Sequence, residues 1–279
     1  MIAEGRATLE AAGVPEARRD AEVLLAHVLS IDSARLLAHP ETSVEPEAAA
    51  RYRDLLRRRA GREPLQHLTG VQEFWSLAFR VSPATLIPRP ETEGILEAFF
   101  RLNRGPAPAI VDVGTGSGCL AVVVAREVPG ARVLACDLSE GALRVARDNA
   151  ATHGVAGRIE FRRGDLFGPL RGDLEGGIDF ILSNPPYVRE DELEGLMPEV
   201  RDHEPLAALV AGPDGLAVHR RLAGEAADFL KPGGHLIVEC GSGQDVPLRG
   251  LYRDHPGLEL VAIQPDLAGI PRILIVRAR

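Results

Sequence analysis

Lysine is almost absent from this sequence. Lys231 is the only one, and the other basic side chains that carry a permanent charge are arginines. Because Pro232 follows Lys231, the chain lacks the Gly-Lys-Ser/Thr motif, which excludes a phosphate-binding loop of that kind. Positive charge is also in deficit, since the net charge is −8. The surface as a whole is therefore not suited to a polyanion, although a local arginine patch is compatible with this charge.

Cysteines and long apolar runs are scarce as well. Cys119, Cys136 and Cys240 lie far apart in apolar surroundings, so we expect three reduced core residues and predict no metal site. No run reaches the ~18 apolar residues of a membrane span, and residues 1–6 lack the apolar core of a signal peptide. We therefore expect a soluble, cytoplasmic protein with no membrane partner.

The first part of the chain has the apolar spacing of helices. Within residues 4–68 apolar pairs alternate with charges at three- and four-residue intervals, as in Leu24, Leu25 and Val28. This pattern predicts a small N-terminal helical domain over residues 1–70. Its basic run, residues 51–62, is better explained as a solvated helix face than as a contact for an acidic partner.

The rest of the chain changes character. Residues 71–83, with Phe74, Trp75 and Phe79, predict a β-hairpin that links two domains. Within residues 84–279, apolar runs typical of strands alternate with helical stretches, which predicts an α/β fold with a seven-stranded, mostly parallel, Rossmann-like sheet. The predicted strands are residues 110–113, 132–136, 158–161, 178–182, 234–238, 258–261 and 273–276, and the main predicted helices are residues 119–128, 139–153 with Ser139 as N-cap, and 214–230.

Glycines follow the first predicted strand of this sheet. The loop after Asp112 contains Gly114, Thr115, Gly116, Ser117 and Gly118, so glycines occupy alternate positions. Ligands of such sheets bind at the carboxyl ends of the strands, where glycine lets backbone approach them closely. The dinucleotide fingerprint is G-x-G-x-x-G, whereas this loop is G-x-G-x-G. We therefore expect a ligand with amino-acid and ribose portions rather than a dinucleotide.

Acidic residues follow the next two strands. Asp137 can accept hydrogen bonds from both hydroxyls of a ribose, and Asp165 can accept one from an exocyclic amine. Phe167 would supply an apolar wall for a purine. Taken singly, each acid is equally consistent with a helix cap or a surface charge.

Two proline-stiffened loops complete the pattern. The run Ser183-Asn184-Pro185-Pro186-Tyr187 follows the fourth strand, and its restricted backbone leaves side-chain and carbonyl oxygens as acceptors for a planar NH2 group. Alone, this run is equally consistent with a turn after an edge strand. The other loop, residues 86–93, carries Arg89 and Glu91 and is consistent either with a linker or with a rigid lip over a pocket.

In this order the motifs resemble class I S-adenosylmethionine-dependent methyltransferases, and most closely the release factor glutamine methyltransferase family. The resemblance covers about residues 64–279. It includes the two loops just described and further matches at Asn149-Ala150, Val200-Arg201, Glu204-Pro205, Ala208-Leu209, Asp214-Gly215-Leu216, Glu239, Gly241 and Gln244.

The resemblance implies methylation of the side-chain amide nitrogen, N5, of the glutamine in the Gly-Gly-Gln motif of bacterial peptide chain release factors. Gly114 to Gly118, Asp137, Asp165, Phe167 and Asn184 would hold S-adenosyl-L-methionine, which leaves as S-adenosyl-L-homocysteine. Asn184, Pro185 and Tyr187 would be catalytic. Pro186, Arg89 and Glu91 would join them in binding the glutamine substrate.

We expect a monomer that does not bind nucleic acid directly. We expect the helical domain to recognise the protein substrate, because a pocket for a single glutamine cannot select one protein. Two further activities remain open. One is methylation of a glutamine of a ribosomal protein, and the other is N6-adenine methylation of DNA or RNA, which uses a similar acceptor loop. A non-catalytic binding protein with the same fold should lack the acceptor loop after the fourth strand.

Overall fold

Seven strands form the central sheet of the computed structural model, which describes residues 1–39 and 41–279. Its strands are β3 (Ala109–Val113), β4 (Arg132–Asp137), β5 (Ile159–Arg163), β6 (Ile178–Ser183), β7 (Leu230–Glu239), β8 (Leu258–Pro265) and β9 (Pro271–Ala278), after a separate hairpin of β1 (Val71–Phe74) and β2 (Leu77–Arg80). The spatial order is β5-β4-β3-β6-β7-β9-β8, with β9 antiparallel to both neighbours. The predicted α/β fold with a mostly parallel sheet is confirmed.

The helices begin and end close to the predicted positions. They are α1 (Ile2–Ala11), α2 (Ala17–Leu29), α3 (Ser33–Ala38), α4 (Pro46–Ala60), α5 (Leu65–Thr69), α6 (Glu93–Leu102), α7 (Cys119–Glu127), α8 (Glu140–Thr152), α9 (Pro198–Arg201), α10 (Ala217–Phe229) and α11 (Asp245–Arg253). Ser139 caps α8 as predicted, since its hydroxyl accepts from the Ala142 amide at 3.2 Å. In contrast, α10 begins only at Ala217 and ends before Leu230, because Leu230 already pairs with Ile178 in the sheet.

The chain divides into two units. The first contains Met1–Val71 and Leu196–His203, and the second contains Gln72–Gly195 and Glu204–Arg279. The inclusion of Leu196–His203 in the first unit was not predicted, because nothing in the sequence sets this short segment apart. In the described part of the chain, no helix is long and apolar enough to cross a membrane.

Apolar side chains cover both faces of the sheet in the second unit. All five residues of β3 are buried, as expected of a central parallel strand. One face packs against α6 and α7 through residues such as Phe99 and Val123, and the other packs against α10 through Leu222 and Phe229. Cys119, Cys136 and Cys240 are buried free thiols in these two clusters.

Apart from Val71, the predicted hairpin belongs to the second unit and contributes to its core. Phe74 and Phe79 are buried with α6 and α7 in the core of that unit. The hairpin turns at Trp75 and Ser76, which both have positive φ angles of 54° and 56°. Glu93 at the start of α6 accepts a hydrogen bond from the Trp75 amide at 2.7 Å, and this contact helps to hold the unusual turn.

A buried ionic cluster lies inside the first unit. The Arg59 guanidinium donates to Asp20 at 2.7 Å and to Glu199 at 2.9 Å, and Arg62 donates to both oxygens of Glu199. The side chains of Arg59 and Asp20 are 7% and 6% exposed. The basic run of residues 51–62 is therefore not simply a solvated face, because two of its arginines neutralise acids of their own unit.

We expect Glu199→Ala to destabilise the first unit by about 3 kcal/mol, because it leaves Arg59 and Arg62 short of their shared acceptor. Urea unfolding followed by circular dichroism measures this loss. The matched control is Glu10→Ala, which breaks an ion pair with Arg6 in which both side chains are 52% exposed. That variant should lose less than about 1 kcal/mol. Equal losses in the two variants would contradict a structural role for the buried cluster.

Candidate active site

The carboxyl ends of β3 and β6 lie side by side at the point where the strand order reverses. From β3 the chain moves outward through β4 and β5, then returns to the other side of β3 at β6. Ser183 at the end of β6 joins the two ends, since its hydroxyl donates to the Val113 carbonyl at 2.8 Å. The loops that follow such strands diverge, and a crevice forms between them.

A cavity of about 540 Å³ occupies this crevice. Its lining comes from the loops after β3, β4, β5 and β6, from residues 84–92, and from the stretch between residues 205 and 221. Its polar members are Thr85, Thr92, Asp112, Thr115, Ser117, Asp137, Ser139, Asp165, Asn184 and Arg221. All of these residues belong to the second unit.

The glycine loop lies against this cavity. Gly114 and Gly116 have φ angles of 74° and 56°, and a Cβ at either position would have no described atom within 4 Å. Glycine therefore permits the conformation and leaves open space beside the backbone. Gly118 has a different function, because its Cβ would approach Ala146 of α8 to 3.0 Å. It permits close helix packing and is not part of the cavity lining.

Asp112 lies at the end of the central strand, directly before this loop. Its Oδ2 accepts from the Thr115 hydroxyl at 2.6 Å and from the Ala121 amide at 3.2 Å. Within residues 1–39 and 41–279, no donor reaches its buried Oδ1. Burial raises the pKa of Asp112 to about 7. Asp112, a residue of the cavity lining, thus carries a buried acceptor without a described partner, a feature that was not predicted for this residue.

Asp137 lines the cavity at the end of β4. Its Oδ2 accepts from the Gly116 amide at 2.9 Å and its Oδ1 from the Ser139 amide at 2.8 Å. These bonds orient the carboxylate and connect the glycine loop to the start of α8. Burial raises the pKa of Asp137 above its usual range. Each oxygen keeps a lone pair for a ligand.

The loop after β5 differs from the prediction. Phe167 is fully buried and stacks on Phe229 with ring centroids 4.9 Å apart, so it does not reach the cavity. Leu166, with a φ of 45°, lines the cavity in its place. Asp165 does line the cavity, but both of its oxygens are paired with Arg221 of α10. Residue type alone did not show which of these neighbours faces the ligand.

Asn184 lies directly after β6 and lines the cavity. Its Nδ2 donates to the Thr92 hydroxyl at 2.9 Å, and that hydroxyl donates to Glu239 at 2.6 Å. Among the residues that the structure describes, none donates to the buried Oδ1 of Asn184. The amide therefore presents a second buried acceptor without a partner.

Tyr187 is not among the described residues that line the cavity, and its contacts hold the end of this loop. Its hydroxyl donates to Glu239 at 3.3 Å, and its carbonyl accepts from the Gln244 side chain at 2.9 Å. Burial raises the pKa of the Tyr187 hydroxyl, which therefore stays a donor. Of the two prolines, Pro186 lines the cavity and Pro185 does not.

Arg89 and Glu91 lie beside the cavity without lining it. Arg89 donates to Glu204 at 2.7 Å, and the Glu204 side chain is only 1% exposed. The neighbouring prolines, Pro88 and Pro205, do line the cavity. The ion pair therefore holds two lining loops together, and the loop of residues 86–93 is built as a lip rather than as a simple linker.

Several site residues were not predicted from their chemistry. Glu239 and Asp112 both carry a detectable signal, since each is an acid at the carboxyl end of an apolar strand, as Asp137 is. Thr92 and Arg221 carry none. Thr92 lies 92 residues from Asn184 in the sequence, and Arg221 lies 37 residues from it. Only folding brings both residues to the cavity.

Comparison with known proteins agrees with this geometry. The family model described as PrmC N-terminal domain matches residues 1–70, and the Methyltransferase small domain model matches residues 95–198. The release factor glutamine methyltransferase of Cereibacter sphaeroides is 46% identical over 269 residues, which cover 96% of this chain and 94% of that protein. The one of Moorella thermoacetica is 43% identical over 279 residues, covering 100% and 97%.

This chain belongs to the release factor glutamine methyltransferase family. The resemblance inferred from the motifs is thereby confirmed. A solved methyltransferase structure from Pyrococcus furiosus, 19% identical, covers 73% of this chain and 90% of its own with a TM-score of 0.53. That likeness concerns the fold alone. Membership of the family identifies the chain as a methyltransferase with a cofactor of the S-adenosylmethionine type.

We expect Asp112→Asn to stabilise the protein in the absence of cofactor, and more so at pH 8 than at pH 5. The folded-state pKa of about 7 lies above the value near 4 of an unfolded aspartate. The folded protein therefore binds the Asp112 proton more tightly than the unfolded chain does. The contribution of this group to the free energy of unfolding is present at low pH and is lost as the pH rises through about 7.

Thermal unfolding of the apo protein at both pH values measures the effect. Asp228→Asn, at an exposed position on α10, is the control and should shift Tm equally at both. An Asp112→Asn shift that does not grow with pH would show that the buried charge is not destabilising.

Proposed function

We propose that this chain transfers the methyl group of S-adenosylmethionine to the side-chain amide nitrogen, N5, of the glutamine in the Gly-Gly-Gln motif of a peptide chain release factor. The observation that carries the proposal is the Asn184 amide, whose oxygen is a buried acceptor without a partner in the cavity lining. A buried acceptor of this kind is costly unless a ligand supplies the donor. A primary amide supplies two N–H donors.

The residues of the cavity fit the cofactor. Asp112 has a free buried oxygen that suits the amino group of an amino-acid portion, and Asp137 has lone pairs for ribose hydroxyls. Leu138 and Leu166 provide apolar surface for a purine. Both oxygens of Asp165 are paired with Arg221, so a hydrogen bond from the exocyclic amine to Asp165 would share an oxygen with that pair. We assign the cofactor to these residues and to the backbone of Gly114 and Gly116.

Catalysis in this site depends on orientation, because the amide nitrogen is a weak nucleophile whose lone pair is delocalised into the carbonyl. Bound S-adenosylmethionine supplies an electrophilic methyl group on a sulfonium sulfur. Asn184 Oδ1 accepts one N–H group of the glutamine, which directs the lone pair of the glutamine nitrogen toward the methyl carbon. As the nitrogen bonds to the methyl carbon, the bond from that carbon to the sulfonium sulfur would break, and S-adenosylhomocysteine would leave with the electron pair. The methylated nitrogen would then release one proton to Asn184 Oδ1 or to water. Such alignment supplies much of the rate enhancement.

The partner is assigned from the relatives, which are named for release factors. A cavity of about 540 Å³ accommodates a cofactor and one side chain, so selection of one protein needs further surface. We assign this selection to the first unit, whose residues 1–70 match a family model of their own.

Transfer of labelled methyl from S-adenosylmethionine to a purified release factor tests the substrate. We expect label on the intact release factor, none on its Gly-Gly-Gln variant with alanine in place of glutamine, and little on a short peptide with the same motif. Parallel reactions contain ribosomal proteins or DNA. Label only on a ribosomal protein would change the partner, and label on DNA would show that the loop at Asn184 holds a base.

We expect Asn184→Ala and Asp137→Ala to affect different steps. Asn184→Ala should lower kcat at least ~100-fold and change cofactor affinity less than about 3-fold, since its oxygen acts on the substrate amide. Asp137→Ala should weaken cofactor binding at least ~10-fold, because it loses hydrogen bonds to the ribose. Steady-state kinetics and cofactor titration measure both. Asn103→Ala, at the end of α6, is the control and should change neither. Equal losses of kcat and affinity in the Asn184 variant would remove it from the catalytic role.

A further inference from the structure

We propose that Thr92 and Glu239 are positioning residues for the transfer reaction, because they determine which end of the Asn184 amide faces the cavity. This inference rests on the proposed function and deepens it. It concerns the polarity of a three-residue hydrogen-bond chain, which we call the relay, that runs from Asn184 through Thr92 to Glu239.

The relay has a direction that follows from donor counting. A threonine hydroxyl carries one proton, and Thr92 donates it to Glu239 Oε2 at 2.6 Å. An ionised carboxylate only accepts. While Glu239 is ionised, Thr92 can therefore only accept from Asn184, whose NH2 group lies 2.9 Å away. The amide oxygen must point the other way, and it is this oxygen that lacks a partner.

If the Asn184 oxygen and NH2 group exchanged places, unfavourable contacts would arise on both sides of the amide. Asn184 Oδ1 would face the Thr92 oxygen, whose proton is already used by Glu239, so two acceptors would lie together in a buried site. Thr92 and Glu239 are 2% and 1% exposed, which leaves little room for water to relieve that contact. On the cavity side, an NH2 group would face the NH2 group of the substrate. The relay thus selects the orientation that accepts a donor.

Glu239 acts through Thr92 rather than on the substrate. Two members of the relay, Asn184 and Thr92, line the cavity, whereas its third member, Glu239, is not among the described residues of the lining. The end of β7 holds the carboxylate in place, and Tyr187 donates to its other oxygen at 3.3 Å. One carboxylate therefore fixes both the amide and the aromatic residue of the same loop.

The relay also depends on the ionisation of Glu239. Burial raises the pKa of this carboxyl to about 7. A protonated Glu239 can donate to Thr92, which frees the Thr92 hydroxyl to donate to Asn184 and permits the reversed amide. The charged and titratable groups that face Glu239 from neighbouring elements are Arg272 on β9, Glu91 before α6, Tyr187 after β6, His219 on α10 and the adjoining Cys240. Arg272 lowers the pKa of Glu239, and Glu91 raises it.

Three variants test the relay. Glu239→Gln keeps the shape but can donate as well as accept, so the direction is no longer imposed. We expect kcat to fall ~10-fold or more, with cofactor affinity within about 2-fold of wild type. In the wild type, kcat should decrease as the pH falls below about 7, because Glu239 becomes protonated. The Glu239→Gln variant should not show this decrease. Thr92→Val should lower kcat similarly, whereas Thr92→Ser keeps the hydroxyl and should retain at least about a third of it. If Thr92 and Glu239 had only a structural role, cofactor affinity, melting temperature and kcat would all decrease together. The dependence of kcat on pH would then stay as in the wild type.

A second readout does not depend on activity. In the ¹⁵N-labelled protein, the Asn184 side-chain NH2 should show cross-relaxation to Thr92, and this signal should weaken in Glu239→Gln and persist in Thr92→Ser. If the Asn184 signal is observed but the release factor is not methylated, the proposed function is refuted while the orientation of the Asn184 amide by the relay is supported. A Glu239→Gln variant with wild-type kcat, an unchanged pH profile and an unchanged amide signal would overturn the relay, as would a Thr92→Ser variant as impaired as Thr92→Val.

Discussion

The parallel pairing of β3 with β6 is the constraint on which the site depends. Ile110, Val111 and Asp112 lie opposite Phe180, Ile181 and Leu182, so both strands end at the same level. The glycine loop and the loop at Asn184 therefore begin side by side, and the Ser183 hydroxyl fixes them there. The cofactor residues and the acceptor residue lie on the two sides of this one junction.

Two buried polar atoms without a described partner belong to residues of the cavity lining. Most buried polar groups in proteins have partners, and the exceptions call for an explanation. Asp112 and Asn184 each use one side of their polar group to hold the fold and leave the other side, buried and without a described partner, in the cavity lining. This arrangement stores a cost in the ligand-free protein that a cationic amino group and an amide would relieve. We therefore expect stability and function to be in conflict at these two positions.

Several outcomes differ from the sequence prediction for one reason, which is that local pattern does not specify tertiary neighbours. Phe167 was expected at the ligand because aromatic side chains suit a purine, yet it stacks on Phe229 while Leu166 faces the cavity. That Phe74 and Phe79 of the hairpin are core residues of the second unit was likewise not specified by the local pattern. Gly118 was expected to contact the cofactor, whereas its lack of a side chain serves helix packing.

The sequence by itself determined the strand and helix succession, the glycine loop, the acids after the strands and the Asn-Pro-Pro-Tyr run, because periodicity and backbone restriction are local properties. From these the fold class and the family followed. Only the tertiary structure decided which polar atoms have partners, because hydrogen-bond direction depends on residues distant in the chain. Thr92 and Glu239 come together with Asn184 across 92 and 55 residues of sequence, and no local pattern specifies that meeting.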